Sequence, residues 1–453
     1  MSPTRSRLAL AVVVLAVLVA GCSAVVGDRA ADEPTAADTV NDTTLANTDA
    51  DSTANPVNGT FGPPSSDLDY LDLPDGYHVA TFANFSTLGG QMRRPHGGAN
   101  PGVRFMHWRD GVLYVAVPGG RSVYDDANDT GRVVAIRDPD RDGRAEEYDV
   151  LLSGLDKPNN LDFHDGFVYV ATDEAVLRYR MNGTAIDADT RRAVVPFPNA
   201  DAYDAPTVTV LATDEGLWVR RSTAVAGEDV DSMFESAIVR CDLDGSNCEQ
   251  YATGLRNAVG MTFSPDGSLV VSEMGAGHTN RTYPPDEINV VGEGNDYGWP
   301  YCQGDNDPVT PAFLRNATDD DKLHDLADHV ETVDVDCTNK TAPAVNLRAH
   351  VAPLGVTFFE SRGGMPSEFE GDLLVASHGS WGLNPPIGYE IIRVDWDGSK
   401  STHTFISGWQ NESDWQNPHG RPVDVTFGPR GAMYISDDKA GRIYVVWHED
   451  MDN

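Results

Sequence analysis

The sequence predicts an all-β, six-bladed β-propeller closed by an N-terminal strand. Three observations carry this reading. A turn followed by an apolar strand recurs six times, each copy is flanked by further strands, and a spare strand precedes the first copy while the last copy stops short.

The recurring unit reads Asp110-Gly-Val-Leu-Tyr-Val, Asp165-Gly-Phe-Val-Tyr-Val, Glu215-Gly-Leu-Trp-Val, Asp266-Gly-Ser-Leu-Val-Val, Gly371-Asp-Leu-Leu-Val and Arg430-Gly-Ala-Met-Tyr-Ile. Most intervals are 50 to 59 residues; the one from the fourth unit to the fifth is about twice that, so it holds an insertion. A strand precedes each unit, at 103–108, 160–163, 208–212, 260–263, 355–358 and 423–427. Another follows, at 132–136, 176–179, 237–240, 287–290, 390–393 and 442–445, and a fourth is visible at 147–152 and 402–406. Repeats of this size built only of strands indicate blades in a ring. The last unit ends at Trp447 without a fourth strand, and residues 77–82 supply one. Closing the ring removes the open edges that template aggregation. A β-sandwich is the main alternative, and six in-register units disfavour it.

The chain has 453 residues, 40% of them hydrophobic and 23% charged, which suits a globular protein with a large core. Asp and Glu number 70 against 33 Lys and Arg, a formal net charge of −37. Such a surface excludes nucleic acid and anionic lipid as partners. Two readings of the acidity stay open: a solvated coat suited to high salt, where screening suppresses self-repulsion, and a field that steers cations. The even spread of acids along the chain favours the first.

Residues 1–22 read as a lipoprotein signal. Arg5 and Arg7 precede an apolar run at 8–20, and Leu18-Val-Ala-Gly-Cys22 is similar to a lipobox. Thirteen apolar residues are short for a membrane span. Cleavage there leaves Cys22 to carry lipid, on the extracellular face of the membrane. Residues 23–66, rich in Asp, Thr and Ala and poor in large apolar side chains, are expected to form a flexible tether, with the propeller at 67–453. Four other cysteines remain, which in an exported protein suggests two disulfides. Three pairings are open; the Asp-Gly-Ser turn between Cys241 and Cys248 favours that pair, with Cys302–Cys337 as the other. Asn-x-Ser/Thr sequons such as Asn84, Asn182, Asn280 and Asn316 permit glycosylation.

One calcium candidate rests on spacing alone. Asp138-Pro-Asp140-Arg-Asp142-Gly143, with Glu146 and Asp149 nearby, alternates carboxylates before a glycine that permits a sharp turn. An acidic hairpin in an acidic protein is the other reading.

The second half of the chain resembles the soluble pyrroloquinoline-quinone (PQQ) sugar dehydrogenases, the glucose/sorbosone dehydrogenase family. The matching segments are Gly254-Leu-Arg-Asn-Ala-Val-Gly-Met, Pro285-Asp-Glu-Ile-Asn, Tyr297-Gly-Trp-Pro-Tyr-Cys, His350-Val-Ala-Pro-Leu-Gly, His378-Gly-Ser-Trp381 and Gly420-Arg-Pro-Val-Asp-Val, in the family's order. The resemblance is strong over 255–446 and loose over 76–211. It implies a PQQ cofactor with calcium, a sugar substrate and an external electron acceptor. A planar quinone with three carboxylates calls for Arg side chains. The resemblance places Arg256, Asn257, Trp381 and Arg421 at the cofactor. It places the Gly275-Ala276 backbone at the cofactor's calcium, and Asp286, Glu287 and the Tyr297 carbonyl at a structural calcium.

The chain departs from the family at two points. A His acts there as general base before the third blade, whereas this chain has Asp204 in that slot and Thr207 where a basic residue is usual. The base is then Asp204, His350 or His378. After Trp381, where relatives carry Arg or Lys, the chain reads Gly382-Leu-Asn-Pro-Pro386. Two function classes follow: a PQQ- and calcium-dependent dehydrogenase of aldoses or polyols, and a non-catalytic carbohydrate-binding propeller that has lost its base. A lactonase-type hydrolase is a third class without motif support.

Overall fold

The second strand of each unit is apolar on both faces, so it must be covered on both. In the computed structural model, which describes residues 60–85, 102–119, 130–197, 207–221, 233–234, 236–275, 281–312, 330, 336–380, 383–411 and 417–452, that cover is another blade on either side. The described residues belong to one unit, Leu45–Asn453. Alternate residues of one strand serve opposite neighbours. Leu113 and Val115 enter the apolar layer shared with the last blade, while Val112, Tyr114 and Ala116 enter the layer shared with the second. Six such layers separate the six blades. On the ring axis Phe105, Val259, Leu354 and Val423 form a small apolar plug.

Each blade is a four-stranded antiparallel sheet. Blade 1 contains Met106–Arg109, Val112–Val117, Gly131–Arg137 and Glu147–Leu155. Blade 2 contains Asn160–His164, Phe167–Ala171, Ala175–Asn182 and Ala185–Pro196. Blade 3 contains Val208–Thr213, Gly216–Arg221, Ala237–Cys241 and Glu249–Thr253. Blade 4 contains Ala258–Phe263, Leu269–Glu273, Glu287–Val291 and Val345–Asn346. Blade 5 contains Pro353–Phe358, Leu373–Ser377, Glu390–Val394 and Thr402–Ile406. Blade 6 contains Pro422–Phe427, Met433–Asp437 and Arg442–His448. Its fourth strand is Tyr77–Asn84, which pairs antiparallel with Arg442–His448 from Tyr77↔His448 onward. The N-terminal closure expected from the sequence is therefore present. The long interval lies inside blade 4, between its third and fourth strands, and carries a two-stranded ribbon of Cys302–Gln303 and Asp307–Pro308. Both favoured disulfides, Cys241–Cys248 and Cys302–Cys337, are formed.

The packed chain reaches further back than residue 67. Phe61 is buried and stacks on Trp447 at 5.0 Å between ring centroids, and the Gly62 N–H donates to the Asp142 carbonyl at 2.7 Å. The propeller thus includes the last residues assigned to the tether. Large apolar area, not composition, decides the boundary here.

Candidate active site

Antiparallel pairing brings the start of each innermost strand beside the end of the second. Ala258 pairs with Glu273, Pro353 with Ser377 and Pro422 with Asp437. The residues flanking those positions meet at one end of the ring, and there a polar bond crosses every blade interface. Arg104 donates from Nε to Asn159 Oδ1 at 2.9 Å, and from Nη1 to Asp438 Oδ2 at 3.0 Å. Asn159 Nδ2 donates to the Val208 carbonyl at 2.9 Å. Arg220 Nη2 donates to the Arg256 carbonyl at 2.7 Å. The Ala352 N–H donates to Asp286 Oδ2 at 2.7 Å, and Arg421 Nε donates to the His378 carbonyl at 3.0 Å. These bonds fix the mouth as a rigid rim.

Arg256 and Arg421, the two cations that the resemblance assigns to the cofactor, both lie on this rim, half-buried. Arg256 Nη1 donates to the Met274 and Gly275 carbonyls at 3.3 and 3.1 Å, and its guanidinium stands 5.4 Å from the Trp299 ring centroid. Arg421 Nη2 donates to the Gly379 carbonyl at 2.5 Å. Gly379 has φ +91°, and a Cβ there would strike the Tyr389 ring, so only glycine brings that carbonyl to the guanidinium. Carbonyl partners orient both guanidiniums. Asn257 is buried; its Nδ2 lies 3.4 Å from Met274 Sδ, and its Oδ1 has no hydrogen-bond partner among the described residues.

The residues that the resemblance assigns to calcium make the following contacts. The Gly275 carbonyl accepts from the Arg256 guanidinium. Asp286 is buried and uses both oxygens on backbone amides, Oδ1 on Gly275 N at 2.8 Å and Oδ2 on Ala352 N. Burial pushes its carboxyl up to about 7. The Tyr297 ring is buried in the layer between blades 3 and 4, and its hydroxyl donates to the Val290 carbonyl at 2.6 Å. Glu287 pairs across the sheet with Glu273. Asn289 Nδ2 lies between them, 3.0 Å from Glu273 Oε2 and 3.2 Å from Glu287 Oε2. Burial first and the Glu287 charge second push Glu273 up to about 8.

His378 follows the second strand of blade 5, with Nε2 2.9 Å from Asp438 Oδ1. His350 and Ala352 hold left-handed backbones, φ +66° and +51°, and the Asp286 bond to the Ala352 N–H anchors that turn. Asp204, Ala276, Trp381 and Cys22 lie outside the described residues. Arg104, Asn159, Arg220, Glu273 and Asp438 were not singled out from the sequence. The usable signal was positional: polar residues just before an innermost strand or just after a second strand.

Away from the mouth, Asp138, Asp140, Asp142 and Glu146 converge, with ligand oxygens all within 4.8 Å of one another. The Gly143 N–H donates to Asp138 Oδ2 at 2.9 Å, and Gly143 has φ +84°. Burial and the three neighbouring carboxylates push Glu146 up to about 6. Asp149 does not join them; it pairs with Arg137 at 2.6 Å.

The described residues thus form a six-bladed ring with two oriented guanidiniums and a buried amide oxygen at one mouth. The chain belongs to the TrAA12-like family, whose model matches residues 150–449. It is similar to an uncharacterized protein of Borreliella burgdorferi, 26% identical over 317 residues, 66% of this chain and 78% of that one. It is also 32% identical over 189 residues to quinoprotein glucose dehydrogenase B of Acinetobacter calcoaceticus, 39% of this chain and 34% of that enzyme. The solved AA12 structure from Trichoderma reesei superposes with TM-score 0.61 at 20% identity, covering 87% of this chain and all of that one, and so shares the fold.

Proposed function

We propose that the chain is a PQQ- and calcium-dependent dehydrogenase of aldoses or related polyols. It works outside the cell, held to the membrane by lipid on Cys22, and passes electrons to an external acceptor. The observation that carries the reading is the pair of carbonyl-held guanidiniums, Arg256 and Arg421, at one mouth of a chain with net charge −37. Cations half-buried in so acidic a protein suit a ligand with several carboxylates. The partnerless Asn257 Oδ1 suits a ligand that also carries a hydrogen-bond donor. The quinone, when bound, supplies the two-electron oxidising chemistry. Arg256 and Arg421 would bind its carboxylates, and the Trp299 ring behind Arg256 limits that side chain's freedom. Membership of the TrAA12-like family and the likeness to a quinoprotein glucose dehydrogenase agree with this. For calcium, the four carboxylates at Asp138, Asp140, Asp142 and Glu146 offer the oxygen-rich setting a hard cation needs.

The test is to titrate PQQ with calcium into the purified chain and then supply an aldose and polyol panel with a reducible dye. Quinone absorbance that survives gel filtration, with sugar-dependent dye reduction, is expected. Absence of both overturns the proposal. Sugar binding without quinone would favour the non-catalytic propeller.

A further inference from the structure

We propose that His378 takes the substrate's hydroxyl proton at Nδ1, with Asp438 and Arg104 positioning the ring from two other blades. This rests on the dehydrogenase reading of the same mouth and supplies the base that the Asp204 slot lacks.

The geometry fixes which nitrogen is available. Nε2 lies 2.9 Å from a carboxylate oxygen, Asp438 Oδ1, so in the neutral ring Nε2 carries the hydrogen and Nδ1 the lone pair. Among the described residues no hydrogen bond involves Nδ1, and 17% of the side chain is exposed. The ring cannot swing away easily. The His378 backbone N–H donates to the Ala352 carbonyl at 3.0 Å, and the His378 backbone carbonyl accepts from Arg421. Asp438 is pinned in turn, because its second oxygen takes Arg104 Nη1 at 3.0 Å. Arg104 is only 3% exposed and is braced by Asn159. The unit therefore spans blades 5, 6 and 1.

The electrostatics keep the ring unprotonated. Burial first and the Arg421 charge second lower the imidazole to about 4, against the pull of Asp438, so the ring is neutral at physiological pH. The charged groups facing it are Arg421, Asp438 and Arg104. Burial alone would raise the Asp438 carboxyl, but His378, Arg104 and Arg421 outweigh it and hold it below the usual carboxylate range. In the step, the substrate O–H bond breaks and its proton goes to Nδ1. The oxygen's electron pair forms the carbonyl as the C–H hydrogen leaves as hydride to an ortho-quinone oxidant. The Asp438 carboxylate balances the new imidazolium charge, and ligand carboxylates on Arg421 would relieve the nearest opposing charge.

Two measurements decide this. The first is nitrogen NMR of the quinone-free chain labelled at histidine. A neutral Nε2–H tautomer for His378 is expected in the wild type, with a changed tautomer balance in Asp438→Asn. An Nδ1–H tautomer in the wild type overturns the proposal whether or not the chain binds PQQ. The second compares PQQ-loaded wild type with His378→Ala and Asp438→Asn. The alanine variant should keep quinone binding within a few-fold, lose about 10²- to 10⁴-fold in kcat, and recover part of it with added imidazole. Asp438→Asn should lose at least about tenfold and move the acid limb of the pH profile. Full kcat in His378→Ala, or a loss that imidazole cannot rescue beside intact quinone binding, overturns the assignment. A wild type inactive on every sugar overturns the dehydrogenase reading instead, and the tautomer result then stands alone on His378.

Discussion

Both carboxylate oxygens of Asp286 accept backbone amides, one from its own blade and one from the turn before blade 5. Removing them strands two buried N–H groups, each worth about 1–3 kcal/mol when left unsatisfied. Asp286→Ala should therefore lower stability by about 2–5 kcal/mol in urea unfolding, with or without chelator. A loss that chelator reproduces in the wild type would return Asp286 to the calcium role. At this scale the sequence was informative where a local motif carried the residue. Arg256, Asn257, His378 and Arg421 sit in short segments that resemble a family. Arg104 and Asp438 do not, because they are 334 positions apart and meet only where the ring closes. No window along the chain contains that contact.

The second strands were the most legible elements because both of their faces are buried, which writes an apolar run between turns. Val112–Val117 and Met433–Asp437 are buried throughout. The fourth strands were the least legible. Ala185–Pro196 is mostly exposed and Glu249–Thr253 buries only Ala252, so their sequences look like loop until the third strand's hydrogen bonds claim them. The fourth strand of blade 4 is two residues long and lies beyond the insertion, so its register has almost no sequence signal. The acidic turn between the third and fourth strands of blade 1 was read from spacing, and its carboxylates do converge. Four like charges there repel unless a cation joins them. Calcium should raise the melting temperature of the wild type by several degrees over chelator, and Asp140→Asn should lose most of that gain. Identical melting curves with calcium and chelator would sink the site.

Buried carboxylates also brace the ring as a whole. Asp424 in blade 6 accepts the Met106 N–H of blade 1 at 2.8 Å, and a Cβ on Gly355 of blade 5 would overlap it. Asp437 accepts three backbone N–H groups and the Tyr444 hydroxyl. Burial pushes each up to about 7. A folded-state value above the unfolded one means that the native chain holds the extra proton. The stability these groups add is complete below the unfolded carboxyl value and is lost as pH rises through about 7. Urea midpoints should fall between pH 5 and 8. Asp424→Asn keeps an acceptor for Met106 but cannot titrate, so its midpoint should fall less over the same range. An unchanged slope would show that Asp424 does not carry this dependence. The N-terminal strand that completes blade 6 sets a further condition on how the molecule comes to exist. Tyr77 is made long before its partner His448. Until then the first strand has no mate, and the apolar faces of blades 1 and 6 stay uncovered. The ring cannot mature blade by blade as it is synthesised; its closure waits for Arg442–His448, and a product that stops before that strand would lose the seam rather than one edge.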